Sequence, residues 1–146
     1  MFNQGLMSSL RMDWRTPRAL YCGLDRLFHF DFDPCPINPD FDGLLIDWGQ
    51  SNFVNPPYGR QIGNWIRKGF EQGQKGKIVV MLVPSRTDTR WWHDYVMKAK
   101  EIWFVKGRLK FDDQKCSAPF PSAIIVFKKK QGLRVLKSID TLGGDL

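Results

Sequence analysis

Lys77-Ile78-Val79-Val80-Met81-Leu82-Val83-Pro84 is the stretch from which the fold of this chain is read. It is aliphatic almost throughout and too short for a helix, so it predicts a strand buried on both faces, the pattern of a largely parallel sheet. Pro84 ends it, having no N–H with which to continue a ladder. Just upstream, Ile62, Trp65, Ile66 and Phe70 recur at helical spacing and predict an amphipathic helix that stops around Gly73 and Gly76. Just downstream, Asp88 or Thr87 can cap a third helix carrying Trp91, Trp92, Tyr95, Val96 and Ala99.

Farther out the same alternation continues. Thr16-Pro17 is a hydroxyl cap followed by a proline at the first helical position, and Leu20, Leu24, Leu27 and Phe28 then mark the buried face of a first helix. Phe28, Phe30 and Phe32 alternate with His29 and Asp31 as a short strand does, and Asp33-Pro34 closes it. Residues 34–50 read as a loop leading to a strand that ends at Phe53-Val54. Late strands are expected at 102–105, 108–111 and 123–127, antiparallel at the sheet edge. Strands alternating with helices predict a three-layer α/β/α sandwich with a mostly parallel sheet. Such sheets bind ligands beyond the carboxyl ends of their strands, where Asp33 and Asn55 both fall.

The 146 residues fit one domain, expected to fill the chain from 1 to 146 with its core at about 14–138 and no separate target-recognition domain. With 42% hydrophobic residues, six Trp and eleven Phe, the chain can bury a real core and is not disordered. The 22 Lys plus Arg against 15 Asp plus Glu give a net charge of +7, which suits a polyanionic partner. Cys22, Cys35 and Cys116 are odd in number and far apart, so neither a disulfide framework nor a zinc site is indicated. Residues 1–9 lack the basic start and apolar stretch of a leader, and no run reaches membrane-spanning length, so a cytoplasmic protein is expected.

The chemistry is concentrated at Asn55-Pro56-Pro57-Tyr58. Each proline locks its own φ and pushes the preceding residue toward extended geometry, so the turn is stiff and rich in acceptors. An exocyclic amine on a nucleobase is a poor nucleophile because its lone pair is delocalised into the ring. The Asn55 side-chain oxygen and the Pro56 carbonyl can accept its two hydrogens and favour a pyramidal nitrogen. Tyr58 offers a face for a flat base. The competing reading makes Pro-Pro a tight strand exit and Tyr58 a half-buried anchor. In a cofactor pocket at this end of the sheet, Asp31 and Asp33 can supply the carboxylate, strand-terminal Asp33 being the better placed, with Asp42 and Asp47 in reserve, while Asp33-Pro34 can equally be a plain turn.

Asn55-Pro56-Pro57-Tyr58 resembles the catalytic turn of S-adenosylmethionine-dependent amino methyltransferases, and the chain as a whole is similar to the phage-type DNA N6-adenine methyltransferase (Dam) family. The segments carrying the similarity include Trp14-Arg15-Thr16-Pro17, Phe30-Asp31-Phe32-Asp33-Pro34-Cys35, Leu82-Val83-Pro84-Ser85-Arg86 and Gly107-Arg108-Leu109-Lys110-Phe111, in order over about residues 14 to 127. The resemblance implies a compact Rossmann-like methyltransferase that uses S-adenosyl-L-methionine to methylate N6 of an adenine flipped out of DNA. It implies catalysis by Asn55, Pro56, Pro57 and Tyr58, and cofactor contacts from Trp14, Thr16, Pro17, Asp33, Cys35 and Asn55. It also implies a substrate loop of Arg86, Thr87, Asp88, Arg90 and Trp91. The chain departs from the wider methyltransferase pattern in having no Gly-x-Gly after its first strand, and the second strand's ribose-binding acid is missing.

Arg108, Lys110 and Phe111 combine charge with a ring, suiting phosphate contact and base packing, although a solvated edge strand accounts for them equally. Lys128-Lys129-Lys130 reads as a solvated face adding at most nonspecific phosphate attraction. No metal is expected, and neither His29 nor His93 is needed, because a methylated N6 loses its proton without a tuned base. The expected partner is DNA, with the protein a monomer or weak homodimer. Rival readings are transfer to another planar amine, guanine N2 in RNA or a protein glutamine, and a DNA-binding module that has lost its cofactor.

Overall fold

The aliphatic run becomes the second strand of a five-stranded sheet. The computed structural model describes residues 14–112, 114–129 and 132–141. Residues 1–9 and Lys130, read above as a start without a leader and as part of a lysine run, lie outside the described residues. The elements run α1 (Arg18–Phe28), β1 (Ser51–Val54), α2 (Ile62–Gln74), β2 (Ile78–Pro84), α3 (Arg90–Asp94), a 3-10 turn (Val96–Lys98), β3 (Glu101–Val105), β4 (Ser122–Phe127) and β5 (Val135–Ile139). The protein is thus mixed α/β, and among the described residues no helix is long and apolar enough to cross a membrane.

The sheet order is β1-β2-β4-β3-β5. β1 lies parallel to β2 with Val54 opposite Met81, and β3 lies parallel to β5. β4 runs antiparallel to both its neighbours. The expected sheet, mostly parallel with antiparallel strands at its edge, is therefore corrected: the antiparallel strand is central. Its burial matches the position, since Ser122 to Phe127 is covered throughout. It also returns from β3 without a crossover helix, which parallel pairing would need.

Three local expectations change as well. Phe28, Phe30 and Phe32 do not form a strand; only an isolated parallel bridge joins Phe32 to Asn52. Asp31 takes the amides of Gln50 and Ser51 at 3.1 and 3.0 Å, a side-chain arrangement that competes with a ladder. Residues 108–111 are irregular: Leu109 and Phe111 are buried while Arg108 and Lys110 are exposed, so the alternation marks two anchors on a loop. The third helix is short, and its cap is Thr89, whose hydroxyl accepts from the Trp92 amide at 3.3 Å.

The core is built from the strands outward. Val79, Val80, Met81, Leu82, Val83, Ile124, Ile125 and Val126 are fully buried. Each such aliphatic side chain contributes about 1.5–3 kcal/mol by leaving water. From α1, Tyr21 meets Phe53 edge-on at 5.2 Å and Phe28 meets Trp103 at 5.9 Å. α2 approaches closely because Gly69 and Gly73 leave room for Met81 and Phe127.

The loop before β1 is fastened to α2 and β2 by polar contacts. Buried Gln72 accepts from the Trp48 amide at 3.0 Å and from Lys77 Nζ at 2.7 Å, and Trp48 Nε1 donates to the Gly43 carbonyl at 2.7 Å. A Cβ at Gly43 would stand 2.0 Å from the Pro34 carbonyl oxygen and 2.8 Å from the Trp65 ring. Gly43→Ala is expected to cost about 1–3 kcal/mol of stability through overpacking, read as a lower denaturant midpoint.

Candidate active site

β1 ends at Val54, and the chain turns out of the sheet at Asn55. The Asn55 amide is held at its nitrogen end. Nδ2 donates to the Trp14 carbonyl and to the Thr16 hydroxyl, the latter at 3.0 Å. A carbonyl can only accept, so the nitrogen must face Trp14, and the orientation of the amide is fixed. Its other end, Oδ1, is buried without a hydrogen-bond partner in the structure. A buried acceptor left unpaired costs about 1–3 kcal/mol. The Thr16 hydroxyl, expected to cap α1, is spent on this arrangement, and Pro17 itself occupies the cap position.

Beside Asn55 opens a hollow of about 390 Å³, within the range of small-molecule sites. Trp14, Thr16, Asp33, Cys35 and Asn55 all line it, so it gathers five of the six residues assigned to the cofactor. Buried Pro17 is not in the lining. Arg15, Arg18, Tyr21, Phe53 and Asp112 line it too, and sequence reasoning missed these. Arg18 and Tyr21 had a legible signal: they follow Thr16 within the first turns of α1. Asp112 had none, since it arrives from a distant loop, where its carboxylate accepts the Arg18 amide at 3.0 Å.

Asp31 and Asp33 separate by role. Asp31 is occupied with the Gln50 and Ser51 amides. Asp33 opens to the hollow, and its carboxyl is raised above the usual range, chiefly by desolvation from the protein packed around it and against the lowering effect of the Cys35 amide. By area Asp33 remains solvent-exposed, within reach of a ligand in the hollow. The reserve acids are engaged elsewhere. Asp42 accepts the Leu44 amide, and Asp47 binds Lys75 Nζ at 2.9 Å, which lowers its carboxyl to about 2.

Pro56 is buried, and Pro57 faces a second hollow of about 440 Å³ shared with Trp65 and residues 34–43. Tyr58 is not on the surface. Its ring is 6% exposed, Phe120 and Phe111 stand edge-on to it at 5.6 and 6.3 Å, and its hydroxyl donates to the Leu82 carbonyl at 2.9 Å. Burial raises the phenol well above its ordinary value, with Arg86 acting against it. Tyr58→Phe, which deletes only that hydroxyl, is expected to lower stability by about 1–2 kcal/mol in thermal unfolding, leaving a buried carbonyl unpaired.

The residues assigned to DNA fall in two groups. Arg86, Thr87, Asp88 and Arg90 are exposed on the turn from β2 to α3, with Trp91 half-buried against Trp92. Arg108 and Lys110 are exposed, but Phe111 is fully buried against Trp14, Tyr58 and Phe120, so as it stands it has no face for a base. His93 donates Nε2–H to the Thr87 carbonyl at 2.8 Å, and His29 terminates α1. Both fit structural roles. No cluster of metal-ligating side chains occurs among the described residues.

The family described as DNA N-6-adenine-methyltransferase (Dam) matches residues 4–140 of the chain. A curated relative, the DNA N-6-adenine-methyltransferase of Haemophilus phage HP1 (strain HP1c1), is 27% identical, with 86% of this chain and 83% of that protein covered. The protein of the same name from Escherichia phage T1 is also 27% identical, over 68% of this chain and 47% of that protein.

Proposed function

This chain belongs to the DNA N-6-adenine-methyltransferase (Dam) family of enzymes, and from that premise we propose that it moves a methyl group from S-adenosyl-L-methionine to N6 of an adenine turned out of DNA. The observation that carries the reading is Asn55 Oδ1, a buried acceptor with no partner, on an amide held from its other end beside a pocket of suitable size. An amine hydrogen supplies the missing partner.

The residues present fit the cofactor. Asp33 offers a carboxylate for hydroxyl or ammonium groups, Arg15 and Arg18 offer positive charge toward a carboxylate, and Trp14, Tyr21 and Phe53 offer apolar surface. When bound, S-adenosyl-L-methionine supplies an electrophilic methyl whose bond to sulfur breaks as the bond to N6 forms, with the N6 proton passing to water. Asn55 orients the amine and favours its pyramidal form, with the Pro56 carbonyl as second acceptor. Pro57 keeps the turn stiff. Tyr58 receives the base once Phe111 and Phe120 have moved aside; until then its hydrogen bond to Leu82 steadies the turn. Arg86, Thr87, Asp88, Arg90 and Trp91 line the approach, and Arg108 and Lys110 take phosphates.

The fold we propose for this activity is a compact three-layer Rossmann-like sandwich within a single domain. Support comes from the alternation of positions: α1 meets Phe53, paired with Val80, whereas α2 meets Val79, Met81 and Phe127.

Methyl-labelled cofactor offered with DNA, RNA or protein tests the function. Label in DNA, recovered on digestion as N6-methyladenine, is the expected result. Label in RNA guanine or protein glutamine would move the assignment to those amines, and failure to bind the cofactor in calorimetry would mark an inactive DNA-binding module.

A further inference from the structure

A third hollow, of about 270 Å³, lies at the other end of the sheet. β4 ends at Phe127 opposite Val79, near the start of β2, whereas Asn55 follows Val54, which lies opposite Met81 toward the end of β2. The hollow is therefore placed beside the amino ends of β3 and β5 and the carboxyl end of β4, two strands or more from β1, which carries the catalytic turn. Five cations line it: Lys98 and Lys100 from the turn before β3, Lys128 and Lys129 after β4, and Arg134 before β5. No carboxylate is in the lining.

Bringing five like charges around one concavity opposes folding unless an anion shares the space, and it leaves a standing positive potential there. Two of the cations are already oriented. Lys100 Nζ donates to the Leu133 carbonyl, and Arg134 Nε donates to the Ala99 carbonyl at 3.1 Å, which leaves the terminal guanidinium nitrogens for a ligand. Lys128 is 3.5 Å from Glu101, whose other oxygen accepts from Trp103 Nε1 at 3.1 Å, so one cation is balanced and held. Lys98 lies over the Phe70 ring at 5.5 Å. Gly132 sits with φ 116°, a conformation that side chains rarely adopt, and a Cβ there would come 3.4 Å from Lys100 Nζ. Four of the five charges are thus held by carbonyls, a ring or a carboxylate, and part of the ordering cost at these four side chains is met before binding.

We infer that this hollow is a phosphodiester site, separate from the catalytic pocket, which grips the backbone of DNA away from the base being modified. The choice of DNA among polyanions rests on the proposed function; the affinity for phosphate groups does not. Backbone contact of this kind is independent of base sequence and adds affinity in proportion to the counterions released.

The test is duplex binding by fluorescence anisotropy over a salt series, without cofactor, for the full chain, Lys98→Glu/Lys129→Glu and Asn55→Ala. Both lysines are exposed, and thermal unfolding checks the fold; should the reversal perturb it, Lys98→Gln/Lys129→Gln removes the charge alone. The lysine variant is expected to bind about tenfold more weakly near 0.1 M salt and to flatten the plot of log affinity against log salt by about two units. Asn55→Ala should keep the original slope. Unchanged affinity and slope in both lysine variants would overturn the site. Loss of inorganic phosphate binding in the lysine variants, with duplex affinity and slope unchanged, would assign the hollow to a small anion instead. A protein that methylates no DNA yet loses duplex binding in the lysine variants would defeat the proposed function and leave this inference standing.

Discussion

Asn55→Ala is expected to lower the rate of methyl transfer by at least about 10²–10³, the loss that follows removal of one preorganised polar group from a transition state. The variant deletes the acceptor whose partner is missing in the protein alone. It also leaves the Trp14 carbonyl and the Thr16 hydroxyl without the donor they now share. The second effect bears on the pocket wall, so cofactor affinity should weaken by less than about tenfold while turnover collapses. Asn55→Asp separates the two: it keeps an oxygen for the amine but sets a negative charge against the Trp14 carbonyl, so its turnover should also be low and its cofactor binding poorer than that of the alanine variant. Single-turnover transfer with labelled cofactor, beside calorimetry, reads both quantities. Near-normal turnover in Asn55→Ala would remove the acceptor role from the mechanism.

What the sequence made legible was local. The run from Ile78 to Val83 could be read as a buried strand because nothing in it tolerates water, and Asn55 could be placed at a strand end because proline follows it; the strand expected before Asp33 does not form. The central position of β4 was not legible. An apolar strand of six residues reads alike at an edge or in the middle, and only the lack of a crossover helix after β3 decides its direction. β5 escaped notice because Val135 to Ser138 are exposed and leave only Ile139 as a buried signal.

The site shows the same division. Asn55, Asp33, Trp14 and Thr16 meet at one pocket, a grouping that for Trp14 and Thr16 came from the family resemblance and not from spacing. The covering of Tyr58 depends on Phe111 and Phe120, which reach it from a loop between β3 and β4. Sequence spacing holds no trace of that contact. The convergence of five cations likewise depends on sheet order: Lys128 and Lys129 read alone as a solvated run, and only the adjacency of β4, β3 and β5 brings Lys98, Lys100 and Arg134 around them.

Asp33→Asn should weaken cofactor binding by about 10–100-fold, the loss of a hydrogen bond made by a charged group, without weakening the fold. The sign follows from the environment of the acid. Its carboxyl is raised, first by desolvation and only partly relieved by the Cys35 amide. A group raised in the folded state contributes stability below its unfolded value and loses that contribution as pH climbs through the folded value. At neutral pH the ionised Asp33 is therefore a slight burden on the protein alone, and the neutral amide should leave thermal stability equal or a little higher. A hydroxyl or ammonium group of the cofactor relieves that burden, so cofactor affinity should fall as pH drops through the raised value. In Asp33→Asn that pH dependence should flatten. An acid serving only the turn before Pro34 would behave in the opposite way, with its replacement costing stability and leaving cofactor affinity unchanged across the same range.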